Sequence, residues 1–128
     1  FDGVIPLSEV IEKEVQATIL INPRPVDQEF TKYSFPSKIM EYMSSGTPVL
    51  TTKLPGIPKE YYNYLYTING DTSADITQAL ETVISVSKIE RFEKGNLART
   101  FVLQYKNNIH QTSLILDLLK KTLRTQKR

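Results

Sequence analysis

The chain has 128 residues, enough for one domain and no more. It is 40% hydrophobic and 23% charged, an ordinary soluble composition. A net charge of +2 is too small to argue for nucleic acid, and the absence of cysteine excludes disulfides and thiol catalysis, as fits a reducing compartment. No apolar run approaches the roughly 18 residues of a membrane span, and no signal peptide is visible. The chain opens at Phe1-Asp2-Gly3 without an initiator Met, so the expectation is a piece of a longer protein.

Ser8 reads as an N-cap for a short helix through Val15, with acidic residues early. Ala17 to Ile21 is a continuous apolar, β-branched run, which predicts a strand buried on both faces. Asn22-Pro23-Arg24-Pro25 ends it. Val26 to Ser34 is polar without a clear period, hence a loop, and loops at the carboxyl ends of buried parallel strands are where open α/β sheets bind ligands.

The stretch from Tyr33 to Leu50, YSFPSKIMEYMSSGTPVL, predicts loop, helix and buried strand in turn. Pro36 suits the first helical turn, where its missing N–H costs nothing. Ile39, Met40 and Met43 form one apolar stripe. Gly46 sits where a helix ends through a left-handed residue, and Pro48 to Thr52 enters a strand. The start of such a helix is an anion site, because its amide groups and positive dipole end point at the preceding loop. Ser37 and Lys38 add a hydroxyl and a cation. Glu41, one turn on, is placed to accept hydrogen bonds from a diol. Phosphate first and diol a turn later is the order a nucleotide sugar presents.

Leu54 to Pro58 is a turn cluster, and Pro58 opens a short helix through Lys59, Glu60 and Tyr61. Leu65 to Ile68 is a weaker strand, and Asn69-Gly70-Asp71 a tight turn. Thr72 or Ser73 caps a helix with Ile76, Leu80, Val83 and Ile84 at helical spacing. Lys88 to Thr125 reads as two helices joined near Lys106-Asn107-Asn108, the second carrying Ile109, Leu114, Ile115, Leu118 and Leu119. Helices alternating with buried strands imply a parallel sheet with right-handed crossovers. Three strands are few for a sheet covered on both faces, so the beginning of the domain is expected to be missing.

The stretch from Tyr33 to Leu50 resembles, without a gap, segments such as E-G-F-P-N-V-L-L-E-A-M-A-S-G-x-P-V-V of the retaining glycosyltransferases of the GT-B fold, family 4 (glycosyl transferases, group 1), in their C-terminal, donor-binding domain. The flanks are similar too. Phe1 to Pro6 resembles an F-x-G-x-V-P element, and Ala17 to Pro23 the next strand. The resemblance implies an α/β, Rossmann-like parallel sheet flanked by helices, an incomplete C-terminal half of a GT-B fold. It implies that Glu41, the second of a paired-glutamate motif, binds the ribose hydroxyls of the donor. Ser34, Phe35, Pro36, Ser37 and Lys38 then meet the sugar and diphosphate, and Gly3 to Pro6, with Ile5, lies beside the base. The first glutamate of the pair falls at Tyr33, which offers a phenol or a stacking face instead of a carboxylate; Glu29 lies nearby in the loop. In the family a basic pair that neutralises the diphosphate comes from earlier in the same domain, and the acceptor site largely from an N-terminal domain; this sequence contains neither, which leaves Lys38 and Arg24 as the nearby cations.

Function follows from the resemblance as an expectation. The full protein would transfer a hexosyl group from a nucleotide-diphosphate sugar to a glycan or lipid-linked acceptor in surface polysaccharide synthesis. It would do so in the cytoplasm, with contact at the inner membrane face as a further option, and with no cofactor and no metal. The alternatives are a sugar-nucleotide epimerase of the same architecture and a non-catalytic binding or assembly remnant. The basic terminus, Lys120, Lys121, Arg124, Lys127 and Arg128, reads as a solvated helix face, with an anionic membrane as the other reading. His110 reads as a polar-face residue, and Tyr61, Tyr62, Tyr64 and Tyr66 as partly buried cover of a strand edge, with ring stacking as the other use.

Overall fold

The computed structural model describes residues 3–126. Phe1 and Asp2 of the first element, and Lys127 and Arg128 of the basic terminus, lie outside the described residues. Helix α1 spans Leu7–Gln16, strand β1 Leu20–Asn22, helix α2 Ser37–Ser45, strand β2 Val49–Thr52, strand β3 Tyr66–Ile68, and helices α3, α4 and α5 Ser73–Ser85, Lys88–Tyr105 and Asn108–Gln126. Short 3-10 turns cover Glu29–Lys32 and Lys59–Asn63. The three strands form one parallel sheet in the order β1-β2-β3. Leu20 lies opposite Val49 and Asn22 opposite Thr51; Leu50 lies opposite Tyr66 and Thr52 opposite Ile68. The chain is therefore an α/β protein with a Rossmann-like parallel sheet flanked by helices.

Successive strand residues face opposite sides of a sheet, and β2 shows the consequence. Val49 packs with Ile39 and Met43 of α2 and Ala98, Phe101 and Val102 of α4 on one face. Leu50 packs with Ile68 and with Val83, Ile76 and Leu80 of α3 on the other. All four residues of β2 are buried, as a strand between two neighbours and two helical layers must be. β1 differs from expectation. It starts at Leu20, and Leu20 and Ile21 are only half buried, because β1 is an edge strand among the described residues.

Three local devices hold the elements. Gly46 adopts φ +80° and ends α2, its N–H donating to the Met43 carbonyl at 3.2 Å. Gly95 of α4 lies against the Gly46 carbonyl so closely that a Cβ would overlap it, which lets α4 pack directly on the end of α2. Thr72 caps α3 in a reciprocal box with Asp75. Ser8 does not cap α1; Pro6 occupies that position and Ser8 falls inside the helix. Pro36 likewise stands one residue before α2, at its N-cap. Among the described residues no helix is long and apolar enough to cross a membrane.

Candidate functional site

At the carboxyl ends of β1 and β2 a cleft of about 160 Å³ is lined by Arg24, Thr31, Ser34, Phe35, Pro36, Ser37 and neighbours from Phe30 and Leu54. Five of the nine residues singled out in the sequence meet there: Arg24, Ser34, Phe35, Pro36 and Ser37. No side chain caps α2, so its first amide groups are left to a ligand or to water.

The walls are held in several ways. The backbone N–H of Arg24 donates to Thr52 Oγ1 at 2.9 Å, fixing the segment between Pro23 and Pro25 to the end of β2. Thr31, buried, donates through Oγ1 to the Gln28 carbonyl at 2.6 Å, and Ser34 through Oγ to that of Phe30 at 2.8 Å. Gly56, in the turn after β2, donates its N–H to the Thr31 carbonyl at 3.2 Å. The Phe35 ring lies 5.0 Å from that of Tyr61, which meets Phe101 edge-on at 5.2 Å, and Tyr64 stacks on Phe101 at 4.4 Å. Tyr61 and Tyr64 therefore serve the core behind the cleft, while Tyr66 packs on the other face of the sheet with Leu50, Ile68 and Val83. Tyr62 belongs to the scaffold behind the cleft, its hydroxyl accepting from the Leu54 N–H and donating to the Leu54 carbonyl.

The remaining sequence-predicted residues stand elsewhere. Lys38 turns toward α1: its Nζ lies 2.7 Å from Glu41 Oε1 and 3.6 Å from Glu14 Oε1. Arg24 thus lines the cleft and Lys38 does not. Glu41 is exposed on α2, and the Lys38 hydrogen bond holds its carboxyl below the usual carboxylate range. Tyr33 is 83% exposed and outside the cleft lining. Ile5 is half buried ahead of α1, and Glu29 opens the 3-10 turn; neither lines the cleft. His110 donates its backbone N–H to Asn107 Oδ1 at 2.8 Å and sets its ring edge-on to Tyr105, a role in the junction of α4 and α5.

Sequence reasoning missed Thr52, Thr31, Gly56 and Glu14. Glu14 carried a signal: it lies four residues after Val10 and three before Ala17, on the packed face of α1. It is buried at 7% exposure. A second cleft of about 180 Å³ shares Arg24 and adds Thr52, Asp71 and Ile76, so Arg24 stands between two hollows. A larger hollow of about 650 Å³ lies at the opposite end of the sheet, around Gly46, Thr47 and Pro48. Its Arg91 is occupied by the carbonyls of Val83, Ile84 and Val86 at the end of α3. Ligands of open parallel sheets bind beyond the carboxyl ends of the strands, which favours the smaller cleft.

The cleft thus brings Arg24 to an uncapped helix start, whose amide groups and positive dipole end favour negative charge. Over 69 residues the chain is 35% identical to a Bacillus subtilis (strain 168) protein provisionally named as the teichuronic acid biosynthesis glycosyltransferase TuaH. That stretch covers 52% of this chain and 17% of the relative, so the similarity is glycosyltransferase-like over part of each protein. No protein-family model matches the chain. No solved structure matches it significantly either.

Proposed function

We propose that the chain is the donor-binding portion of a family 4 glycosyltransferase of the GT-B fold, acting on a nucleotide-diphosphate sugar. The observation that carries this reading is the cleft itself: Arg24 and the uncapped start of α2 converge on one hollow at the carboxyl end of the sheet. At about 160 Å³ it is smaller than the ~300–1,000 Å³ of pockets that enclose whole ligands. It suits a diphosphate with part of a sugar, the nucleoside lying along the surface of α2 toward Glu41. The amide groups of α2 would stabilise the leaving diphosphate as its charge develops, which is electrostatic catalysis. The acceptor is a glycan or a lipid-linked glycan, and the relative's assignment to teichuronic acid biosynthesis supports a surface polysaccharide as the product class.

The test is titration of the full-length protein with nucleoside diphosphates and their 2′,3′-dideoxy analogues. Arg24→Ala should weaken both, because it removes a phosphate contact. Glu41→Ala should weaken the ribonucleotide by about 1.5–3 kcal/mol, the scale for hydrogen bonds to a charged group. It should barely affect the dideoxy compound. Equal discrimination between the two nucleotides by wild type and Glu41→Ala would remove Glu41 as the diol acceptor. Indifference of both nucleotides to Arg24→Ala would remove the cleft.

A further inference from the structure

Glu14 is a carboxylate at a position where an amphipathic helix ordinarily places an aliphatic side chain. Its side chain is 9% exposed at the contact of α1 with α2. A charge so placed is unfavourable unless a partner meets it. The partner is Lys38, which stands between two carboxylates, one buried and one at the surface. While Lys38 donates to Glu41 Oε1 at 2.7 Å, that oxygen shares its lone pairs with an ammonium and is the weaker acceptor of the two for a vicinal diol.

We propose that Glu14 is a positioning residue for the diol-binding Glu41: it receives Lys38 when a ribose arrives, releasing both Glu41 oxygens to the ligand. This rests on the reading of Glu41 given above. The exchange is short, since Lys38 Nζ already lies 3.6 Å from Glu14. It keeps the ammonium paired throughout, because three N–H donors on a rotatable stem suit a change of partner.

The charged groups that face Glu14 are Lys38 and Glu41 of α2, with the Tyr42 ring 5.3 Å from Lys38 Nζ; on α1 itself Glu9 pairs with Lys13 at 3.8 Å. Burial pushes the Glu14 carboxyl above the usual carboxylate range; Glu41 adds to the effect and Lys38 opposes it. Ionised Glu14 holds Lys38 by charge as well as by hydrogen bond, and the neutral acid by hydrogen bond alone. Ribonucleotide affinity should therefore rise with pH as Glu14 loses its proton, above the ordinary glutamate value of 4.5.

The experiment measures the affinity of the full-length protein for uridine and guanosine diphosphates and their 2′,3′-dideoxy analogues across that range. Wild type should bind the ribonucleotide more tightly as pH rises, with no matching rise for the dideoxy compound. Glu14→Gln should lose about 1.5- to 5-fold of ribonucleotide affinity at the upper end, the range of a partly exposed ion pair, and its ratio of ribo- to dideoxynucleotide affinity should not change with pH. Glu14→Asp should recover part of the loss. Lys38→Met should also make that ratio independent of pH, with Glu14 in place, and Glu14→Gln added to it should cost nothing further. An unchanged pH profile in Glu14→Gln or in Lys38→Met, or equal losses for ribo- and dideoxynucleotides, would overturn the proposal while leaving the donor site standing. A wild type that binds none of the four nucleotides overturns the donor-site reading and this inference with it.

Discussion

Gly56 has no side chain because none fits between the turn after β2 and the loop before α2. A Cβ there would overlap the Ser34 carbonyl and sit 2.8 Å from that of Thr31. Both neighbours are backbone, so neither can rotate away, and Ser34 and Thr31 both line the cleft. Gly56→Ala should cost about 1–3 kcal/mol, the scale of overpacking. It should also weaken nucleoside-diphosphate binding, since the loop that meets the ligand must shift. Urea unfolding and the same titration read the two effects; a variant as stable and as tight-binding as wild type would show that the loop yields freely. The sequence marked Leu54 to Pro58 as a turn but could not show what the glycine faces, because that contact joins residues more than twenty positions apart. Arg24, Ser34, Phe35, Pro36 and Ser37 were legible together because they flank one strand end and one helix start, both signalled locally. Lys38 was read by its place beside the helix start, and its partner Glu14 lay on another helix.

At the scale of elements, the starts and stops that rest on local chemistry were legible, and those that rest on neighbours were not. Gly46 ended α2 and Thr72 opened α3 as their side-chain chemistry demands. The run Ala17 to Ile21 was apolar enough for a strand buried on both faces, but among the described residues an edge position gives it a partner on one side only. The 3-10 turn at Glu29–Lys32 has no periodic signal, since its order comes from Thr31 and Ser34 bonding back to the backbone. The α3 cap yields a pH dependence. Hydrogen bonds from the Thr72 side chain and backbone lower the Asp75 pKa from 3.8. A carboxyl whose folded pKa is depressed adds stability above its unfolded value and loses it as pH falls through the folded one. Wild type should therefore melt above Asp75→Asn at neutral pH, and the gap should close in acid below the ordinary aspartate value. Thr72→Ala should cost about 0.5–2 kcal/mol at neutral pH. A gap that stays constant down the acid range would mean that the charge on Asp75 contributes nothing.

At the scale of the whole molecule, the packed body is β2 with its two neighbours, α2 and α4 on one face and α3 on the other. α5 stands outside it. The helix was legible, and so were its aliphatic residues, but their surroundings were not: Ile109, Leu114, Ile115, Leu118, Leu119 and Leu123 are all half exposed or more. Its ties to α4 are close to the junction, such as Gln111 Nε2 to the Tyr105 carbonyl at 2.8 Å. A helix of 19 residues without burial is marginal in water. Heating this chain should therefore melt α5 before the body, so that far-ultraviolet dichroism begins to fall while aromatic signals hold. Removing residues 108–128 should make the two transitions coincide; coincidence in the intact chain would show that α5 is held as firmly as the core. The aromatic signal has a definite address. The chain has no tryptophan, seven tyrosines and five phenylalanines, and the rings locked against one another are Phe35, Tyr61, Tyr64 and Phe101, beside the cleft. Near-ultraviolet dichroism is thus a label-free optical gauge that reports chiefly on the packing behind Phe35, with smaller contributions from Tyr66 beside α3 and Tyr105 at the junction of α4 and α5.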